Sequence, residues 1–271
     1  MSNEIERPSM APMKDDYDEL PTDVCKLPSK GLIYPKDHPL HCKDCVEFKA
    51  MGTEQENILA TPALLKQGTV LNVLMKSVLI DKSIDTESLL MGDKTALLVS
   101  IRISGFGKEY HSSFSCKSCG EEQKYTFDLS KSQIKPLGDD PVAPGENLFE
   151  FDLPKSKKKV KFSLLTDGDD TEIAKTQQNR KKAYRNSIID RTITDRLLLA
   201  IKEIGGKTDD AYIAKYVEKA MGAYDSRKLR KHMAEIEPDI ILKEEVTCRH
   251  CGDTDDRHVT MGYEFFWPNE L

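Results

Sequence analysis

The sequence predicts an α+β fold in which two β-hairpins, distant along the chain, combine with α-helical subdomains. Three observations predict it. Two Cys-x-x-Cys-Gly stretches, Cys116-Lys117-Ser118-Cys119-Gly120 and Cys248-Arg249-His250-Cys251-Gly252, each lie between short runs of strand-forming residues. Before and between them, apolar residues recur at spacings of three and four, as on one face of a helix. A third segment, Leu27 to Pro35 (LPSKGLIYP), has two prolines bracketing a glycine, so it is an extended stretch with one sharp turn.

Residues 1–24 read as a disordered or extended N-terminal tail, polar and rich in Met, Pro and acid, with no periodicity. The arm and its sequel, 25–50, carry Leu32, Ile33 and Tyr34, which want burial, and the pair Cys42 and Cys45. A helical subdomain spans 51–106. Thr53 and Glu56 make a capping box, Thr61-Pro62 starts a second helix that Gly68 closes, and Val70, Leu71, Leu74, Val78 and Leu79 stripe a third. Asp93 caps a fourth helix through Leu97, Leu98 and Ile101, although Val99, Ile101 and Ile103 also alternate as in a strand. The first knuckle hairpin occupies 107–130, entered by Tyr110–Ser115 and left by Gln123–Leu129. A loop and the strand-like runs Phe149–Leu153 and Lys159–Leu165 fill 131–165. A helical insertion covers 166–240: a long helix from Asp170 to Ile204 with the stripe Ile189, Ile193, Leu197, Ile201 and Ile204, then helices from Asp209 and from Asp225. The second knuckle hairpin and a C-terminal tail make up 241–271, entered by Lys243–Thr247 and left by His258–Phe266.

Composition limits the function. At 271 residues, the chain has room for one large or two small domains. An apolar share of 38% is low, and a charged share of 32% exceeds the roughly 25% usual for soluble domains, so much of the surface is solvated or faces partners. A formal net charge of -6 argues against a whole-molecule nucleic-acid binder. No run approaches the ~18 apolar residues of a transmembrane helix, and the N-terminus has no apolar signal region. A soluble cytoplasmic protein is expected. Six of the seven cysteines lie in Cys-x-x-Cys pairs, which fits metal binding in a reducing compartment better than a disulfide framework.

Two thiolate pairs at hairpin tips supply the four soft ligands of a tetrahedral zinc site, with Gly relieving the backbone after the second ligand. Cys116, Cys119, Cys248 and Cys251 are therefore the expected ligands of a structural Zn2+; the alternative is four buried free thiols. Four protein ligands leave no open position for substrate, which points away from catalysis at the metal. A second candidate set is His38, His41, Cys42 and Cys45, weighed against free surface thiols. The acidic Asp167-Gly168-Asp169-Asp170 reads as capping or turn residues, with a divalent-cation site as the alternative. No phosphate-binding loop, nucleophile elbow or His-Glu-x-x-His occurs, so no enzyme is expected. Basic residues collect at Lys155–Lys161 and Lys175–Arg191, including Arg180 and Arg185, yet only Tyr184 interleaves with them for base stacking.

The order of the Leu27–Pro35 arm, Gly92-Asp93-Lys94, Ile101-Arg102-Ile103-Ser104-Gly105-Phe106-Gly107-Lys108-Glu109-Tyr110 and the first knuckle resembles T4-type bacteriophage baseplate hub proteins over roughly 25–266. The resemblance implies a non-enzymatic role in contractile-tail assembly, as a hub component or a factor acting with hub and tape-measure proteins. It implies residence in the host cytoplasm during assembly, or in the virion's tail baseplate. It lends nothing to the Cys42/Cys45 pair. Two alternatives remain: a tape-measure chaperone absent from the virion, and a zinc-ribbon nucleic-acid binder using the basic helix around Arg180 to Arg185.

Overall fold

The computed structural model describes residues 20–140, 142–183, 190–259 and 261–266. Most of the expected tail, together with Tyr184, Arg185, Ile189 and Trp267-Pro268, lies outside the described residues.

Strand β1 (Thr22–Lys26) pairs antiparallel with β2 (Cys45–Lys49), Cys25 opposite Val46. The Leu27–Pro35 arm leaves this pair and folds straight back onto it. Lys30 and Gly31 both take positive φ (52 and 67°), and a Cβ on Gly31 would lie 2.2 Å from the Leu40 carbonyl oxygen, so only glycine fits. Leu27, Ile33 and Tyr34 are buried, but Leu32 is 39% exposed, because the turn presents only one side of the segment to the core.

Helices α1 (Thr53–Leu59), α2 (Pro62–Gln67) and α3 (Val70–Val78) follow. The cap of α1 sits one residue earlier than expected: Gly52 is the N-cap, and its N–H donates to Gln55 Oε1 at 2.9 Å. Helix α2 starts at Pro62 and stops at left-handed Gly68 (φ 71°), as its sequence requires. Helix α3 buries Val70, Leu74, Met75 and Val78. Helix α4 (Met91–Phe106) resolves the ambiguity at Val99, Ile101 and Ile103 in favour of a helix.

The first knuckle hairpin is β3 (Glu109–Ser115) and β4 (Glu122–Asp128), followed by the short β5 (Gln133–Lys135). Strands β6 (Phe149–Asp152) and β7 (Lys159–Phe162) form another hairpin. Helices α5 (Asp167–Ala183) and α6 (Thr192–Ala200) replace part of the expected long helix, but the chain leaves helical geometry after Ala200. Ile201 and Ile204 belong to β8 (Ile201–Ile204), beside β7. The register shift pairs Glu203 with Lys161 and Ile201 with Phe162, leaving Lys202 as the extra residue, so two isoleucines three apart both turn inward. The stripe at helical spacing is thus shared between a helix and a bulged strand.

Helix α7 (Asp210–Lys219) is capped by Asp209, which accepts from the Tyr212 amide at 2.8 Å. Helix α8 (Ala223–Ile236) has Gly222, not Asp225, as its N-cap. Asp225 instead accepts from the Lys155 and Ser156 amides at 2.8 and 2.9 Å, pinning the turn between β6 and β7. Strand β9 (Asp239–Ile241) pairs with β5. The second knuckle hairpin joins β10 (Lys243–Thr247) to β11 (Thr254–His258). Its outgoing strand is the polar TDDRH, not the expected His258–Phe266. The knuckle sets Thr247 opposite Thr254, so the strand resumes at once, while Tyr263–Phe266 makes a 3-10 turn that buries Phe265 and Phe266.

Helix α4 organises the core. A Cβ on Gly92 would lie 1.9 Å from the Pro238 carbonyl oxygen, so the helix and the chain entering β9 meet at backbone distance. Asp93, fully buried, accepts from the Ser29 amide (2.9 Å), Ser29 Oγ (2.5 Å) and Tyr34 OH (2.8 Å), and Tyr34 OH accepts from the Leu90 amide at 3.0 Å. Lys94 pairs with Asp167 at the start of α5, where Asn72 also donates to Asp167 at 2.7 Å. Arg102, 1% exposed, donates to the Phe265 and Gly107 carbonyls at 3.1 Å each and to the Glu109 carbonyl at 3.3 Å. One helix therefore fastens the arm, the insertion, the first hairpin and the C-terminal turn.

Candidate metal centre

The two knuckles are copies of one turn. In the first, the Cys116 amide donates to Glu121 O and the Gly120 amide to Cys116 O, each at 2.9 Å. In the second, the Cys248 amide donates to Asp253 O at 2.7 Å and the Gly252 amide to Cys248 O at 2.9 Å. Gly120 and Gly252 have φ of 77 and 75° with open space where a Cβ would stand, so they are needed for the left-handed conformation and not for room.

The turns bring their thiols together across 129 residues of chain, Cys119 Sγ lying 3.8 Å from Cys248 Sγ. Cys116 and Cys251 Sγ are likewise 3.8 Å apart, and all four sulfurs lie within 4.8 Å of one another. A disulfide bond is far shorter, about 2.0 Å. A tetrahedron with metal–sulfur bonds of about 2.3 Å has edges of about 3.8 Å, so the donor set fits a zinc-sized ion. Cys116 and Cys248 are buried, Cys119 and Cys251 exposed, so the cluster sits at the surface with one sulfur of each knuckle inward.

Electrostatics agree. Hydrogen bonds from the Cys251 and then the His250 amide pull the Cys248 thiol down to about 6. At Cys251 the Asp253 amide acts in the same sense, but contacts with the Cys248, Cys119 and Cys116 thiols, with burial, outweigh it and push that thiol up to about 12. Cys119 is also raised: the Glu121 amide lowers it, but burial and the Cys116 and Cys248 thiols prevail. Crowded sulfurs resist ionising together until a cation joins them.

Side chains reinforce the junction. Ser118 Oγ donates to Asp253 at 2.5 Å, and Lys117 Nζ lies 2.8 Å from Asp255. Tyr125 OH donates to Glu244 at 2.8 Å, and the Arg257 guanidinium stacks 4.2 Å from the Phe114 ring.

The second candidate set does not gather in the same way. His38 Nδ1 accepts from the Leu40 amide at 3.1 Å, so its Nε2 donates to Ser88 Oγ at 2.8 Å, and burial lowers its pKa. His41 Nδ1 meets the Tyr34 carbonyl at 2.7 Å, and only its Nε2 approaches a thiol, Cys42 Sγ at 3.4 Å. Cys45 begins β2. In the acidic run, Asp169 accepts from Thr166 at 2.8 Å and Asp170 pairs with Arg196 at 2.5 Å, so these carboxylates hold the start of α5. Among the described residues, the four knuckle cysteines alone form a group with metal-ligand geometry. Sequence reading missed the Asp93 anchor and buried Arg102; the signal was that both stand in the motif segments that follow the arm.

The fold and site define an α+β protein in which two distant hairpins converge on a four-cysteine candidate metal centre, an arrangement compatible with a zinc ribbon. A family model described as T4 bacteriophage base plate protein matches residues 22–267, and the chain belongs to that family. No curated protein and no solved structure matches the chain significantly. No described helix is long and apolar enough to cross a membrane.

Proposed function

We propose that this baseplate protein is a non-enzymatic hub component, or hub assembly factor, of the contractile tail, and that a structural Zn2+ on Cys116, Cys119, Cys248 and Cys251 holds it in shape. The family match over 22–267 carries the tail assignment. The resemblance of the arm and of the Leu89–Cys119 segment to hub proteins supports the hub role. The zinc assignment rests on the 3.8 Å sulfur pairs, whose spacing suits a closed tetrahedral site. Such a metal supplies fold stability and no chemistry to a substrate. Other tail proteins, the tape-measure protein among them, are the proposed partners.

Three arginines of the basic region favour a protein-facing role over a nucleic-acid one. Arg180 is paired with Asp195 at 2.6 Å and Arg196 with Asp170 at 2.5 Å, while Arg191 pairs with Glu218. Charges neutralised internally are not offered to a phosphate backbone. The test is affinity capture of the tagged protein from infected cells, with mass spectrometry of purified virions. Hub and tape-measure proteins in the capture support the proposal. A capture without tail proteins, or tight salt-sensitive nucleic-acid binding, overturns it. Absence from virions, with tail proteins captured, assigns the assembly-factor version.

A further inference from the structure

His41 and Cys42 stand outside the four-cysteine centre as a thiol beside a base. Cys42 is exposed, in the turn that returns the arm to β2, with its Sγ 3.4 Å from His41 Nε2. The other ring nitrogen lies 2.7 Å from the Tyr34 carbonyl oxygen. A carbonyl only accepts, so in the neutral ring Nδ1 carries the proton and Nε2 turns its lone pair to the thiol. The ring is fixed from both sides. Tyr34 is anchored by Asp93 and Leu90, and the Gly145 backbone packs so closely that a Cβ there would lie 3.2 Å from His41 Cε1.

Cys42 also lines an open concavity of about 520 Å³, shared with Lys43, Asp44, Cys45, Glu47 and Asp81 among others. Its rim carries three carboxylates against one ammonium, a field that favours cations over anions. Cys45 lines the same concavity, but it is less exposed and its contact with Asp44 raises the thiol, so His41→Gln and not Cys45 alone isolates the part played by the imidazole.

We propose that Cys42 is an exchange-reactive thiol with His41 as its proton acceptor, and that it takes small disulfides, cationic ones ahead of anionic ones. In the step, the Cys42 proton passes to His41 Nε2 as Sγ attacks one sulfur of the disulfide. The disulfide S–S bond breaks and a new S–S bond forms to Cys42. The departing thiolate takes the proton from His41. Cys42 is oxidised, the small disulfide is the oxidant, and no other reactant is needed.

The test uses full-length, zinc-supplemented protein, with cystamine as the cationic probe and dithiodiglycolate as the anionic one. Peptide mapping by mass spectrometry follows each thiol. Cys42 is expected to be modified first, about tenfold faster by cystamine than by dithiodiglycolate at low ionic strength, the gap narrowing with salt. His41→Gln is expected to slow Cys42 by about tenfold and to alter its pH–rate profile, while Cys45 keeps its rate. Equal rates for Cys42 and Cys45 in the unaltered protein overturn the proposal even where His41→Gln fails to fold. So does a well-folded His41→Gln protein with the unaltered rate and profile, or faster reaction with the anionic probe.

Discussion

Replacing Asp93 tests whether the arm is held by one buried carboxylate. The side chain is 0% exposed and accepts three hydrogen bonds, two from Ser29 and one from Tyr34. Asp93→Ala strands three buried donors, each costing about 1–3 kcal/mol, and relieves the desolvation of the carboxylate, which offsets part of the sum. A net loss of about 3–5 kcal/mol is expected. Asp93→Asn keeps shape and one acceptor and lets a hydroxyl reverse, so about 1–2 kcal/mol is expected. The pH dependence has a definite sign. Burial holds the Asp93 carboxyl above the ordinary carboxylate range despite the hydrogen bonds from Ser29 and Tyr34. The native state therefore keeps this proton to higher pH than the unfolded chain does. The stabilisation this group contributes is complete below the ordinary carboxylate range and declines as pH rises from about 4. Asparagine has no such proton, so the stability gap between the unaltered protein and Asp93→Asn narrows as pH rises. Urea unfolding of the three proteins at several pH values, metal held constant, measures this. The reasoning fails if Asp93→Ala lies within about 0.5 kcal/mol of the unaltered protein, the range of ordinary surface substitutions, or if the gap widens with pH.

Native mass spectrometry is expected to find one zinc per chain. Cys116→Ser and Cys248→Ser are expected to lower both zinc content and melting temperature, and an unchanged melting temperature in metal-free protein refutes the structural-zinc proposal. Zinc uptake at pH 7 is expected to release about two protons or more, because Cys119 and Cys251 are both raised and must ionise to bind; calorimetry in buffers of different ionisation enthalpy counts them. Gly92→Ala is expected to abolish stable folding, its Cβ meeting backbone oxygen at 1.9 Å, whereas Gly120→Ala meets nothing and loses only about 1 kcal/mol to its positive φ; equal effects in denaturation curves refute this contrast.

The legible parts of this protein were those whose cause is local. Cys-x-x-Cys-Gly names a turn and its two thiols in five residues, and Pro62, Gly68 and Asp209 each stop or start a helix by their own chemistry. Asp93 and Asp225 show the limit. An aspartate in a helix's first turn looks like a cap from sequence, yet both reach to distant backbone or hydroxyl donors. Ile201 and Ile204 misled because the spacing of three that marks a helix also satisfies a bulged strand. The polar TDDRH strand was invisible to hydrophobic alternation, since its pairing is dictated by the knuckle before it. The convergence of the thiols was inferable from matching motifs; the helix that fastens the arm, the insertion, the first hairpin and the C-terminal turn was not.

The separation of 129 positions between Cys119 and Cys248 also imposes an order on synthesis. A chain made from its N-terminus presents the first knuckle as a bare thiol pair long before the second exists, with the whole helical insertion still to be translated. During that interval the first hairpin can bind metal only as a half-site, open to any other thiol or scavenging ligand in the cell. Closure waits for the second knuckle, so a product cut short before Cys248 carries only two of the four thiols, and on the proposed zinc reading it cannot complete the site.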